Sequence, residues 1–292
     1  MRLSTSTNIM NFDQGVNYAI PMEDSIPACA RAGYRYIDAN LCGACRPGQA
    51  LTKPDWEDWT KKCRELADSL GLTFTQAHAY FPLGKNLGPD GREVDGAHGE
   101  EMMRRSVLAA EILGAKWMVV HPFTIWEESG YSLHKSYQYN REYYYRWAEE
   151  FGAHHLNLAI ENMSLTGGKP RYGVTPEELL DLTEGIGLPN VGICVDTGHA
   201  HLSGLNVADF LRGVGDHLHA THIADNHRNA DEHFAPFNGT IDWKPVMKAL
   251  RDIGYQDDFA FEIHHLTSAY PREVQQELVN FSYRLGNYLM EL

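Results

Sequence analysis

No run of about 18 apolar residues occurs anywhere in the 292-residue chain, so no membrane-spanning helix is expected. The amino terminus, Met1-Arg2-Leu3-Ser4-Thr5-Ser6-Thr7, lacks the uninterrupted apolar stretch of a secretory leader. Together these absences lead to the expectation of a soluble, cytoplasmic protein without membrane partners. Cysteine is scarce and odd in number: Cys29, Cys42, Cys45, Cys63 and Cys194 in a long chain suit a reducing compartment and free thiols rather than a disulfide framework. Basic residues are outnumbered, 25 Lys and Arg against 39 Asp and Glu, a net charge of −14. A broad basic surface able to neutralise phosphates is therefore not expected, which argues against nucleic acid as a partner. Low-complexity tracts, charge blocks and Pro/Gly/Ser linkers are missing as well, so residues 1–292 are expected to form one domain. At 43% hydrophobic and 22% charged residues, the chain has ample apolar material for one core.

What is present is a rhythm. A short β-branched or aromatic run is followed by a longer stretch with helical spacing of apolar residues, again and again. The spacing predicts strands at 3–6, 34–38, 73–78, 116–121, 157–161, 191–196, 217–224 and 259–263. Helices are predicted near 23–32, 55–70, 97–113, 140–153, 176–186, 205–213, 243–253 and 271–290. Thr175-Pro176-Glu177-Glu178 reads as a helix start, with a Thr cap, Pro in the first turn and acids at the positive end of the dipole. Gly71, Gly114 and Gly254 stand between a helix and the next strand, where a left-handed cap is expected. Eight strands in alternation with eight helices read as an α/β fold of the (β/α)8 TIM-barrel kind, although a doubly wound open sheet shares the local pattern.

Each of the last six strands ends in a side chain able to bind metal: His78, His121, Glu161, Asp196, His222 and Glu262. In a parallel barrel all strand carboxyl ends open on one face, so residues distant in sequence meet there. Any one of them alone would more often cap a helix or bond a carbonyl; six in succession form a set. Glu161 and Glu262 close the apolar runs Leu158-Ala159-Ile160 and Phe259-Ala260-Phe261, and a carboxylate at the end of a buried strand needs a compensating cation. An oxygen-rich set with one imidazole (Glu161, Asp196, His222, Glu262) suits one divalent ion, Mn²⁺ foremost, with Mg²⁺, Co²⁺ or Zn²⁺ also compatible. Adding His78, His121, His199, Asp231 and His233 gives a set suited to several zinc ions.

The pieces His121-Pro122, Glu161-Asn162, Asp196-Thr197-Gly198-His199, His222-Ile223-Ala224-Asp225-Asn226, Asp231-Glu232-His233 and Phe261-Glu262 resemble the xylose-isomerase-like barrels. That superfamily unites sugar isomerases and epimerases with the endonuclease IV group of DNA-repair enzymes. Likeness to its ketose epimerases implies one Mn²⁺-type ion on Glu161, Asp196, His222 and Glu262, with the two glutamates as acid and base on opposite faces of a sugar. It also implies substrate contacts from His199 and Arg228, with His78 and His121 as further candidates. Likeness to the endonuclease group implies the nine-residue set, in which Asp231 and His233 bind additional metal. Glu161 is followed by Asn162-Met163-Ser164, where the ketose epimerases carry Pro-Leu-Asn-Arg.

The expected chemistry is proton transfer between Glu161 and Glu262 through an enediolate, in a metal-dependent sugar isomerase or epimerase. Two alternatives stand beside it: a lyase that expels a leaving group from the same enediolate, and an endonuclease IV-like phosphodiesterase with a trinuclear zinc site. The expected partner is a small-molecule sugar or sugar derivative; a homo-oligomer is left open. Cys42-Gly-Ala-Cys45 lacks a second pair and reads as two free thiols. The run Tyr137, Tyr139, Tyr143, Tyr144, Tyr145 and Trp147 suits a sugar-stacking wall or a helix packing face equally. Residues 124–136, with Trp126 and Tyr131, form a long loop suited to a lid, and His264 has a better claim to the site than His154, His155 or His265.

Overall fold

A computed structural model describes residues 1–12, 18–19, 21–82 and 96–292. The β-branched and aromatic runs form eight parallel strands: β1 Arg2–Ser6, β2 Tyr36–Asn40, β3 Thr73–His78, β4 Trp117–Val120, β5 Asn157–Glu161, β6 Val191–Asp196, β7 Leu218–His222 and β8 Asp258–Phe261. Each pairs with its sequence neighbours, and β1 pairs with β8 in the register Arg2 to Asp258 through Thr5 to Phe261. Closure comes at β7 and β8, where Ile223 N–H donates to Ala260 O at 2.8 Å and Glu262 N–H donates to Ile223 O at 3.1 Å. The fold is a (β/α)8 barrel.

Outside the strands lie α1 Met22–Ala32, α2 Trp56–Ser69, α3 Gly96–Leu113, α4 Leu133–Ala153, α5 Pro176–Ile186, α6 Val207–Val214, α7 Trp243–Asp252 and α8 Arg272–Glu291. Thr175 caps α5 by accepting from Glu178 N–H, and Gly33 and Gly187 end α1 and α5 in the left-handed conformation. Among the described residues no helix is long and apolar enough to cross a membrane.

Two departures from the sequence expectation have physical causes. Helix α4 begins at Leu133, not near 140, because Ser132 caps it by accepting from Lys135 N–H. The loop expected over 124–136 is thereby shortened to a small ribbon, Trp126–Glu127 against Gly130–Tyr131. Tyr144 and Trp147 are buried, and Phe123 packs against Tyr139, Tyr143 and Tyr144, so the tyrosine run is mainly a packing face. All five cysteines are free.

The barrel interior is layered. Val119, Ala159, Cys194 and Ala220 form a small buried cluster with Trp117, apart from the larger core between strands and helices. Strand side chains alternate with period two, so the residues two positions onward, His121, Glu161, Asp196 and His222, project on the same side one layer higher. Small apolar residues thus floor the site, and polar ones line it.

Candidate metal centre

Six strand ends converge as the alternation requires. At one side, His78 Nε2 lies 3.0 Å from His121 Nε2 and 3.4 Å from Glu161 Oε2, with His121 Nε2 2.9 Å from the same oxygen. In the middle, Glu161, Asp196, His222 and Glu262 each offer one ligand atom, all within 4.8 Å of one another. His222 Nδ1 is 2.8 Å from Glu161 Oε1 and 3.5 Å from Glu262 Oε2. At the far side, Asp231 Oδ2 lies 3.2 Å from His199 Nε2 and 3.3 Å from His233 Nε2. His264 joins this end, its ring centroid 4.1 Å from that of His233.

Whether these residues fit a cation is decided by their other contacts. Asp196 Oδ1 accepts from His199 N–H at 2.6 Å and caps the short helix Thr197–Leu202, while its Oδ2 is buried without a hydrogen bond. Glu161 Oε2 is likewise buried, facing only the ring nitrogens of His78 and His121. Imidazoles that present one nitrogen to the cluster are held by the other: His78 Nδ1 on Ala79 O at 3.0 Å, His199 Nδ1 on Asn162 O at 2.8 Å, and His233 Nδ1 on Glu262 O at 3.0 Å. His222 has Nε2 3.2 Å from Asp38 Oδ2, and Gln76 Nε2 donates to that same oxygen at 3.0 Å. Donation to a carbonyl or carboxylate fixes the tautomer and aims the free lone pair inward, as metal-binding imidazoles require. The donor set fits a divalent cation.

Electrostatics agree. Burial pushes the Asp196 carboxyl up to about 6, with Glu161 and Glu262 adding to it against His199 and His233. For His222, burial favours the neutral ring, but Glu161 outweighs it and holds the imidazole well above its ordinary range. Glu161 lies well below the usual carboxylate range, since His222 above all overcomes the cost of burial. His121, by contrast, is lowered to about 4 by burial, with His78 and His199 adding. These groups hold protons or repel one another where a cation would satisfy them.

The loop after β7 is unusual. Of the four described non-glycine residues with positive φ, three fall in it: Arg228 (66°), His233 (44°) and Phe237 (72°). Such backbone is costly for side chains with a Cβ and persists only where surroundings enforce it. Asp225 does so at Phe237: Oδ1 accepts from Asn226 N–H at 2.9 Å and Ile241 N–H at 3.1 Å, Oδ2 from Phe237 N–H and the Trp243 indole, each at 3.0 Å; Arg228 N–H instead donates to Asn226 Oδ1 at 3.0 Å. Gly239 sits against this carboxylate, where a Cβ would come 2.5 Å from Asn226 N and O.

Arg228 turns elsewhere. Its Nε donates to His201 Nδ1 at 3.3 Å, His201 Nε2 lies 2.8 Å from Thr240 Oγ1, and all three residues line a cavity of about 220 Å³ at the starts of α6 and α7. Sequence reasoning passes over Asp38 and Gln76, and it quotes Asn162 only as part of Glu161-Asn162, with no role given to it. Asp38 could have been found, since it closes the strand expected at 34–38; nothing local marks Gln76.

Residues 26–284 match the xylose isomerase-like TIM-barrel family, and the chain belongs to it. Among relatives, it is 34% identical over 125 residues to an uncharacterized protein of Methanocaldococcus jannaschii, covering 42% of this chain and 41% of that one. It is 37% identical over 82 residues to the D-psicose 3-epimerase of Enterocloster bolteae, covering 28% of this chain and 26% of that one. The chain thus spans less than half the length of these curated relatives. A crystal structure of a D-psicose 3-epimerase obtained with D-fructose superposes with a TM-score of 0.76 at 16% identity, over 99% of both chains, a likeness of fold.

Proposed function

We propose that this protein is a divalent-metal-dependent isomerase or epimerase of a sugar or sugar derivative. The observation that carries the reading is the convergence of Glu161 and Glu262, from β5 and β8, on the group they form with Asp196 and His222. When bound, the cation would polarise a carbonyl and its neighbouring hydroxyl, acidifying the C–H of the hydroxyl-bearing carbon and stabilising the enediolate. Mn²⁺ suits the three carboxylates and one imidazole best.

Glu161 is locked between His222 and His121 with 1% of its side chain exposed, whereas Glu262 keeps 13% and opens toward solvent. Carboxylates on opposite sides of a planar intermediate can take a proton from one face and return it to the other. His199, held by Asn162 O and Asp231, stands beside them to contact substrate oxygens. Relatedness to a protein named D-psicose 3-epimerase supports the same chemistry. In D₂O, the Mn²⁺-loaded protein is expected to place deuterium on a carbon next to the carbonyl of its ketose substrate.

One observation favours a second reading. The nine residues sort into three groups, His78–His121–Glu161, Glu161–Asp196–His222–Glu262 and His199–Asp231–His233, as a trinuclear zinc phosphodiesterase would need. Metal content per chain separates the two. About three Zn²⁺ with cleavage of an abasic duplex, and no deuterium in any sugar tested, would overturn the isomerase reading.

A further inference from the structure

Five carboxylates bear on the cluster: Asp38, Glu161, Asp196, Asp231 and Glu262. Arg171 is half-buried on the segment between β5 and α5, within electrostatic reach of Asp231 and then Glu161. Its backbone is pinned to the site. Tyr172 N–H donates to Thr124 Oγ1 at 3.0 Å, the Tyr172 hydroxyl donates to Glu178 O at 3.2 Å, and Met163 N–H donates to Gly173 O at 2.8 Å. Gly173, at φ 79°, lies so close to Pro122 that a Cβ there would meet Pro122 Cγ at 2.7 Å, which ties this segment to the end of β4.

Yet among the described residues no hydrogen bond or ion pair engages the guanidinium. A charge held partly out of water without a partner is costly, and acids near enough to be felt do not close on it. Were Arg171 there only to offset the carboxylates, an ion pair with Asp231 or Glu161 would be expected. What stands free is a planar fork of N–H donors, whose geometry matches a carboxylate or phosphate.

We infer that Arg171 anchors an oxyanion group of the substrate, a carboxylate or a phosphate, so that the sugar handled here is an acidic one. The word substrate rests on the isomerase reading; the anion site does not. A guanidinium near Asp231 and Glu161 would hold the charged end of the molecule and so set which carbon lies between the glutamates.

The test is calorimetric titration of the full-length, Mn²⁺-loaded protein with D-gluconate, inorganic phosphate and neutral D-glucitol. The wild type is expected to bind one of the two anions at least about tenfold more tightly than glucitol, the weight of one charge-assisted contact. Gluconate or phosphate, whichever binds, tells carboxylate from phosphate. Arg171→Gln should abolish the preference with metal content and Tm unchanged, and Arg171→Lys should restore part of it, as a point charge without the fork. Equal anion affinity in wild type and Arg171→Gln overturns the inference, as does loss of metal or Tm in Arg171→Gln, which would make the residue a counter-charge. Deuterium exchange scores the other reading separately. Exchange without an Arg171-dependent anion preference removes only the anchor; the preference without exchange into any sugar removes only the isomerase.

Discussion

Replacing Asp225 by Asn keeps the shape of the side chain and turns one acceptor oxygen into a donor. Whichever oxygen is lost, two of the four N–H groups now held by Asp225, either Asn226 with Ile241 or Phe237 with Trp243, face an amide NH₂ instead. Hydrogen bonds to a charged acceptor contribute roughly 1.5–3 kcal/mol each, so the loss comes to about 3–6 kcal/mol. That is a large part of a total stability of roughly 5–15 kcal/mol. At roughly 2–4 °C per kcal/mol, Tm should fall by about 10 °C. Because Phe237 holds strained backbone that this carboxylate ties down, the loop should loosen before the barrel does. Amide exchange is the assay: Phe237 and Ile241 should lose protection while Ile160 and Val195 in β5 and β6 keep theirs. Gly239→Ala, which drives a Cβ into Asn226 backbone, should produce the same pattern with Asp225 intact. Unchanged Tm and full protection of Phe237 in both variants would refute the idea that Asp225 holds this loop.

Asp196→Asn and His222→Ala should abolish bound metal and activity with the barrel still folded; full metal content by elemental analysis in both would remove them from the centre. Glu161→Gln and Glu262→Gln, reconstituted with excess Mn²⁺, should each lose at least about 10²-fold in kcat, and near-normal turnover would make that glutamate a ligand alone. Glu161→Gln should also bind metal more weakly than Glu262→Gln, because its carboxylate is shared by His121 and His222. Chelated protein should lose stability as pH rises. His222, pushed down by burial but held well above its ordinary range by Glu161, contributes stability present below 6.5 and lost as pH rises past its raised value. Asp196, raised from 3.8 to about 6, works in the same direction at lower pH. Loaded protein should resist this fall, since metal replaces the protons, and a Tm gap between loaded and chelated forms that does not widen from pH 6.5 to 9 would contradict it.

The strand ends were legible because side-chain alternation is strict and the residues under the ligands are small and apolar, as at Val119, Ala159, Cys194 and Ala220. Element order followed from turn chemistry such as Thr175-Pro176 and the left-handed Gly71, Gly114 and Gly254. Boundaries slipped where a cap, not a periodic pattern, sets the start, as Ser132 does for α4. The hydrogen bonds that aim each imidazole were hidden, since Asn162 and His199, or Gln76 and Asp38, meet only through the closed barrel. Arg171 was hidden too, lying on an irregular segment whose course depends on Thr124 and Pro122.

The layered interior constrains how such a chain can change. Inserting or deleting one residue below Glu161 or Asp196 would rotate the carboxylate to the helix side of the wall and an aliphatic neighbour into the basin. Only changes in pairs preserve the facing, and those shift the side chain by roughly 6.6 Å along its strand, away from its partners. Length within the staves is therefore frozen by parity as well as by packing. The connections above them, such as 163–175 and 226–242, carry no such arithmetic. What the protein recognises can therefore be altered through the rim without moving the floor beneath it.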